Sequence, residues 1–434
     1  MSASSFLRRL IGRRGTENGD VQQLFSLCDA LLSESGEYTS LALAREVLER
    51  YQGLDERARE VFFDALARDY SPSPDAVGHT AAAYQADPSP GNLERLQQAV
   101  ESARQELFRR INMVPHGTAA LVEMRSALLK NLRAKPEWRT IDADLLHLLR
   151  EWFNRGFLRL ERIDWRTSAI VLEKLIQYEA VHAIQGWRDL RRRLEADRRC
   201  FAFFHPQLPD EPIIFIEVAL TRNMSAHIQP LLDIGSPVTP AHSDCAMFYS
   251  ITNCQEGLRG ISFGNLLIKQ VAEELRQEFP HLRRFATLSP IPGFRRWLDQ
   301  KRAEKPKELA LLNKLDQADW HQGEVSDAMQ RTLVRLCAYY FLYAKQENEP
   351  LDPVARFHLG NGAALERINW MGDISEQGMA RSAGLMVNYV YWLNEVERNH
   401  ERYFRDHAIA ASPQVEKLAR ECALAAPAEK GAAA

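Results

Sequence analysis

The stretch Ala246–Pro290, "AMFYSITNCQEGLRGISFGNLLIKQVAEELRQEFPHLRRFATLSP", decides the fold. It opens on "AMFYSIT" and closes on "RRFATLSP", both with the β-branched and aromatic composition of strands. Between them Leu267, Val271, Leu275 and Phe279 recur at a helical spacing with polar side chains on the opposite face, which predicts an amphipathic helix. Strand, glycine-bearing loop, helix and strand make one βαβ unit. Working outward, "PIIFIEVALT" (Pro212–Thr221) predicts a further strand, and Leu333–Lys345 and the region near Glu376–Leu385 predict helices. "VNYVYWLNEV" (Val387–Val396) fits either strand or helix and is taken as strand first. The C-terminal half therefore reads as α/β.

Upstream, from about Val21 to Leu194, the periodicity is helical almost throughout. "DLLHLLREWFNRGF" places Leu145, Leu148, Leu149 and Phe153 along one face, and "SAIVLEKLIQYEAVHAI" does so with Ile170, Leu172, Leu175 and Ile176. "SPSPD", "DPSPGN" and "VPHG" carry the chemistry of helix-to-helix turns, with Asp75 and Ser89 at expected cap positions. This half reads as an all-α bundle. The basic run "RDLRRRLEADRRC" (Arg188–Cys200) that follows is expected to be a solvated helix face, with a seam or a phosphate contact as the sharper reading.

The whole chain bounds the function. With 434 residues, 45% of them hydrophobic, it can bury a large core in two domains. A formal net charge of −3 with 26% charged residues is neither a nucleic-acid-binding polycation nor a disordered polyanion. The six cysteines (Cys28, Cys200, Cys245, Cys254, Cys337, Cys422) form no C-x-x-C pair, which argues against zinc and a disulfide framework and for a reducing compartment. No H-E-x-x-H occurs, and neither His182 nor His205 has a carboxylate four residues away, so no metal is expected. No apolar run approaches the roughly 18 residues of a membrane helix. The basic N-terminal "MSASSFLRRLIGRRG" reads first as a frayed amphipathic end, which makes the expected location cytoplasmic, and second as an organelle-targeting segment.

Within the deciding stretch, Gly260-Ile261-Ser262-Phe263-Gly264 spells G-x-S-x-G, the nucleophile elbow of hydrolases. An elbow needs its serine at the tip of the strand, whereas the strand is expected to end near Thr252, well before Ser262. An anion cradle fits better: Gly257, Gly260 and Gly264 let backbone N–H groups approach a ligand, and the following helix adds its positive end. Arg259 adds a side chain suited to phosphate. The same order of elements resembles N-acetyltransferase (GNAT)-like folds, which use it for the pyrophosphate of coenzyme A.

Longer stretches resemble the malonyl-CoA decarboxylase family. They are "WFNRGFLRLERIDW" (Trp152–Trp165), "YEAVHAI" (Tyr178–Ile184), "DRRCFAFFHPQLPDEPIIFIEVALT" (Asp197–Thr221), "LIKQV", "EFPHLRRFATLSPIPGF" and "PVARFHLGNGAALERINWMGD", spanning roughly Pro115 to Val396. The resemblance implies a helical N-terminal domain, a GNAT-like catalytic domain that binds acyl-CoA, and conversion of malonyl-CoA to acetyl-CoA and carbon dioxide without an added cofactor. It places the family serine on Ser289, the family histidine on His358 and a family tyrosine on Tyr391. The malonyl-CoA-binding loop falls on Arg259, Gly260, Ile261, Ser262, Phe263, Gly264 and Asn265. Some members carry glutamate where this chain has Ser262, so no role of that carboxylate carries over.

The chemistry suits these residues. The thioester carbonyl of malonyl-CoA accepts the electrons left by departing carbon dioxide, so the protein must stabilise an enolate and deliver a proton to carbon. Histidine, with an unperturbed pKa of about 6.5, suits the proton delivery. His358 is expected to be the proton donor, Ser289 its positioning or proton-accepting companion and Tyr391 a second hydrogen-bond donor. Read without the family, Ser289 is turn chemistry before Pro290, His358 a half-buried structural histidine and Tyr391 a core aromatic. Asn361 and Asn388 are pocket candidates whose ordinary roles are turn and core hydrogen bonding. An N-acetyltransferase and a non-catalytic acyl-CoA-binding protein are the competing functions.

The expected organisation is a flexible N-terminus (1–20), an all-helical oligomerisation domain (21–194), a GNAT-like domain (195–412) and a C-terminal tail (413–434). The partners implied are malonyl-CoA and acetyl-CoA and further copies of the chain in a dimer or tetramer, with no nucleic acid and no membrane.

Overall fold

In the computed structural model, residues 17–233, 239–261, 266–317, 320–321 and 325–424 are described. They form two compact units.

The first unit comprises residues 17–158, 204–211 and 255–261. Eight helices build it: α1 (Glu17–Ser33), α2 (Glu37–Gln52), α3 (Glu56–Asp69), α4 (Pro74–Ala86), α5 (Pro90–Val100), α6 (Ala103–Asn112), α7 (Gly117–Asn131) and α8 (Arg139–Trp152). Leu145, Leu148, Leu149 and Phe153 are all buried, as their spacing predicts. Phe25 stacks on Phe62 at 5.3 Å and Phe63 meets Trp138 at 5.0 Å, and burying each such side chain contributes about 1.5–3 kcal/mol. The cap of α4 is Ser73, whose hydroxyl accepts from Ala76 N; Asp75 lies in the first turn instead, because Pro74 takes the first helical position. Ser89 is at the N-cap of α5 but its side chain makes no cap bond.

The second unit comprises residues 159–203, 212–254 and 263–434 apart from those outside the described set. Arg159–Phe203 thus fold with the sheet rather than with the helices, because Arg159–Ile163 is a strand. The eight-stranded mixed sheet runs β1 (Arg159–Ile163), β2 (Arg198–Phe204), β3 (Pro212–Thr221), β4 (Cys245–Asn253), β5 (Arg284–Thr287), β10 (Met386–Val390) and β6 (Ser289–Pro290), with β9 (Ala364–Asn369) also on β10. A short hairpin, β7 (Lys345–Gln346) and β8 (Glu349–Pro350), stands apart. Helices α9 (Ala169–Tyr178), α10 (Trp187–Arg193), α11 (Gln229–Leu232), α12 (Leu266–Glu278), α13 (Phe294–Glu304), α14 (Asp327–Tyr343), α15 (Pro353–Gly360), α16 (Glu376–Ser382), α17 (Val396–Asp406) and α18 (Pro413–Arg420) complete it. β4 and β5 pair in parallel through α12, the βαβ unit read from the sequence, and β10 is strand before α17 begins. A helical region followed by a mixed α/β domain with this parallel crossover agrees with the expected division into an all-α and an α/β part.

Three further expectations are corrected. Ile170 is 54% exposed; Val171, Leu172 and Leu175 form the buried face of α9. Residues 413–420 are a helix with Val415 and Ala419 fully buried, not tail, because Ala411 bridges Leu365 and brings the chain back to the core. The basic run is a solvated face only in part: Arg188 and Arg191 are exposed, but Arg192, Arg193, Arg198 and Arg199 are buried. Arg193 Nη1 meets Glu217 of β3 at 2.6 Å, and Arg192 Nη1 meets Asp197 at 2.7 Å. β3 is buried on both faces, so its carboxylate has to find its cation inside the fold.

Candidate active site

Parallel pairing of β4 with β5 runs from Cys245↔Arg284 to Phe248↔Thr287 and stops. Beyond it, Ser289 pairs with Val387 of β10, while Ser250 remains paired with Glu217 of β3. Two neighbouring strands thus turn to opposite partners. Tyr249 is the extra residue of a bulge between Glu217 and Val218, which bends β4 at the same level. A cavity of about 240 Å³ opens there, lined by Phe248–Ile251 of β4, Leu288–Pro290 and, from α15, Pro353, Val354, Phe357 and His358. Val181 closes one side. Its segment is fixed because the Glu179 carboxylate accepts from Val181 N and His182 N at 2.7 Å each and from Ser250 Oγ at 2.7 Å.

Two of the predicted residues line this cavity, and a third stands behind them. Ser289 Oγ lies 3.1 Å from His358 Nε2, and His358 Nδ1 lies 2.8 Å from Tyr391 Oη. Tyr391 does not touch the cavity. Ser289 donates to Thr287 Oγ1 at 2.8 Å, so its oxygen accepts from His358 Nε2–H, and the bare Nδ1 accepts from the Tyr391 hydroxyl. One neutral tautomer satisfies every contact. Burial drives the His358 pKa down to about 3 and pushes the Tyr391 hydroxyl well above its ordinary value. The site therefore holds neutral hydrogen-bond donors at working pH.

The sequence itself explains why these side chains meet. Asp352 caps α15, accepting from Val354 N at 3.0 Å and Ala355 N at 2.9 Å, with Pro353 preset for the first turn. That aims the last turn, with His358, at β6. Burial raises Asp352 to about 6 against the pull of those amides. Tyr389 stacks on the imidazole at 4.6 Å and 27°. Thr287, Asp352 and Tyr389 escaped the sequence reading. The signal for two of them was there: Thr287 and Ser289, and Tyr389 and Tyr391, are two residues apart, the spacing at which side chains of extended backbone point the same way.

Other candidates stand elsewhere. Asn361 closes the end of α15, donating to Phe357 O at 2.6 Å, and Asn388 is fully buried behind Thr287, donating to its carbonyl at 2.7 Å. His205 packs tilted against Phe153 at 4.5 Å, and burial lowers His182 to about 4. Among the described residues no group of three or more His, Cys, Asp or Glu is arranged to hold a metal ion.

The glycine loop follows Asn253, the end of β4, through a 3₁₀ turn at Glu256–Leu258, so the G-x-S-x-G sequence is not at a strand tip. Ser262, Phe263, Gly264 and Asn265 lie outside the described residues. Gly257 serves packing rather than a cradle: a Cβ there would meet Val122 O at 1.9 Å. The amides of Leu258, Arg259 and Ile261 are spent on Gln255 O, Glu256 O and Leu258 O within the turn. Arg125 Nη1 draws the Gly257 and Arg259 carbonyls to 2.6 and 2.8 Å. Gly260 has φ +83° and open space at its Cβ position, Ile261 is buried, and Arg259 is exposed on an ion pair with Glu256 at 2.7 Å.

Comparison with known proteins gives the family. The family description "Malonyl-CoA decarboxylase N-terminal domain" matches residues 70–153, and "Malonyl-CoA decarboxylase C-terminal domain" matches residues 156–430. The chain is 37% identical over 411 residues to mitochondrial malonyl-CoA decarboxylase of Anser anser anser, covering 85% of this chain and 82% of that protein. It is 38% identical over 357 residues to the Rattus norvegicus protein of the same name, 75% of this chain and 73% of that one. The crystal structure of malonyl-CoA decarboxylase from Rhodopseudomonas palustris superposes with a TM-score of 0.88 at 48% identity, covering 92% of this chain and 99% of that one. That from Agrobacterium vitis gives 0.87 at 46%, with the same coverage.

Proposed function

The chain belongs to the malonyl-CoA decarboxylase family and is a carboxy-lyase, and from that premise we propose that Ser289 and His358 carry the proton that converts the enolate left by decarboxylation of malonyl-CoA to acetyl-CoA. The observation that supports this is the hydrogen-bonded line from Ser289 through His358 to Tyr391, whose first two members face the cavity between β4 and β6. The bond from Cα to the carboxylate breaks, its electron pair passes into the thioester as an enolate, and carbon dioxide leaves. A neutral imidazole suits this step, since an imidazolium would hold the carboxylate in its ground state as an ion pair. Apolar walls such as Phe248, Leu288 and Val354 also leave the carboxylate poorly hydrated. The Ser289 hydroxyl then rotates from Thr287 Oγ1 to the enolate carbon and gives up its proton there, while His358 Nε2 passes its own to Ser289 Oγ. Tyr391, donating to Nδ1, offsets the charge growing on the ring, and a solvent proton restores it. The reaction needs no added cofactor, because the substrate supplies its own electron sink.

The test is malonyl-CoA turnover followed by mass spectrometry, with Ser289→Ala and His358→Ala alongside. Loss of about 10²–10⁴ in kcat in each is expected for a removed proton-transfer group. Near-normal turnover in either folded variant overturns the assignment.

The segment Arg259–Asn265 is proposed to bind the nucleotide diphosphate of the substrate. Arg259 supports this, because its ion pair with Glu256 is exposed and such pairs exchange readily for phosphate. Self-association, as dimer or tetramer, is also proposed. Its support is the α4–α5 hairpin, in which no residue is buried. A reducing, cytoplasmic setting fits six cysteines that form no disulfide, five of them buried; no described helix is long and apolar enough to cross a membrane.

A further inference from the structure

Thr287 is 1% exposed and sits where β5 leaves β4. Its hydroxyl oxygen receives two donors, Ser289 Oγ at 2.8 Å and Tyr389 N at 3.2 Å. Its backbone is pinned as well, since its carbonyl accepts Asn388 Nδ2 at 2.7 Å. The Asn388 amide has one orientation, because its oxygen accepts from Arg367 Nε at 3.0 Å and Asn369 Nδ2 at 2.8 Å. Thr287 Oγ1 is therefore a fixed acceptor.

A serine hydroxyl has one proton to give. While that proton points at Thr287, Ser289 can only accept along the line to His358. Nε2 must then carry the ring proton and Nδ1 must be bare. We infer that Thr287 is a positioning residue of the decarboxylation, which selects the His358 tautomer by taking the hydroxyl proton of Ser289. Without that acceptor, Ser289 turns its proton onto Nε2, the ring proton moves to Nδ1, and Nε2 has nothing to pass on. The inference rests on the proposed roles of Ser289 and His358.

Thr287→Val keeps the shape of the side chain and removes the hydroxyl, whereas Thr287→Ser keeps the hydroxyl. With malonyl-CoA as substrate, Thr287→Val is expected to lower kcat by about 10- to 100-fold with KM within about twofold, the loss of one or two directed hydrogen bonds. Thr287→Ser recovers most of that loss. In protein labelled with ¹⁵N-histidine, the His358 ring, assigned by its disappearance in His358→Gln, changes from the Nε2–H to the Nδ1–H pattern in Thr287→Val. Should the valine variant not fold, Thr287→Ala takes its place in both measurements. Unchanged kcat in the hydroxyl-free variant, or lost activity with the Nε2–H tautomer retained, overturns the inference. Ser289→Ala run in parallel separates the two readings: full activity there defeats the proposed chemistry itself, while an inactive Ser289→Ala beside an active Thr287→Val defeats only the role of Thr287.

Discussion

Ser289 Oγ and His358 Nε2 lie 3.1 Å apart although 69 residues separate them in sequence, and both are almost wholly buried. Burial of this kind has a thermodynamic signature. His358 is neutral in the folded protein down to about pH 3, whereas the unfolded chain protonates it below about 6.5.

The first prediction follows from that difference. A folded pKa below the unfolded one gives a stability contribution that is present above pH 6.5 and lost as pH falls toward 3. Denaturant unfolding of the protein and of His358→Gln between pH 7 and 4.5 is expected to show the difference between them shifting against the histidine by up to about 1.4 kcal/mol per pH unit. A constant difference across that range means the ring titrates normally in the fold. The same neutrality predicts that kcat shows no inflection near 6.5 from His358.

Tyr391 and Tyr389 flank the same imidazole and are expected to respond in opposite ways. The Tyr391 hydroxyl is bonded to His358 Nδ1, so Tyr391→Phe is expected to lower kcat by about tenfold with little change in KM, the worth of one buried hydrogen bond. The Tyr389 hydroxyl is buried with no hydrogen-bond partner among the described residues. Removing it in Tyr389→Phe is expected to raise stability by about 1 kcal/mol, because an unsatisfied buried group is relieved while the stacked ring is kept. Thermal unfolding and steady-state kinetics on both variants check the contrast; a destabilised Tyr389→Phe means the hydroxyl is satisfied in solution.

The Arg193–Glu217 pair is the third. Each side chain is 2% exposed, and Arg193 also donates to His182 O at 2.8 Å. Glu217→Leu alone leaves a guanidinium buried beside an apolar group and is expected to cost about 3–5 kcal/mol, whereas Arg193→Met with Glu217→Leu recovers much of it. Equal destabilisation by the single and double variants would show that the contacts of Arg193 to Asp189 and His182, rather than the pair, hold the segment.

That pair also marks where the sequence stops being legible. The βαβ unit, the buried faces of α8 and α12 and the all-helical first unit follow from periodicity, which is a local property. The basic run Arg188–Cys200 has the composition of a surface helix; its buried arginines find some carboxylates within the run, such as Asp197, but the distant Glu217 and Glu278 tie it to β3 and α12. Gly257 looks like a ligand loop by composition, yet its missing side chain is filled by the backbone of α7. In the cavity, Ser289 and His358 were found by resemblance and not by physics, since neither differs locally from a turn serine or a core histidine. What could have been read is the two-residue spacing that puts Thr287 beside Ser289; it needed the strand register to give it meaning.

The α4–α5 hairpin supplies the last prediction. Its two helices pack on one another but bury no residue, and isolated helices of 13 and 11 residues are marginal in water. Leu93 and Val100 are two turns apart on one face of α5, 39% and 49% exposed. An apolar stripe on a helix is stable when something covers it, and a second copy of the chain is the proposed cover. Leu93→Glu with Val100→Glu places two carboxylates on that stripe while keeping helix-forming residues. Sedimentation analysis is expected to show a smaller species than the unsubstituted protein, with far-ultraviolet circular dichroism unchanged. An unchanged mass, or a monomer before substitution, removes the hairpin as an assembly surface.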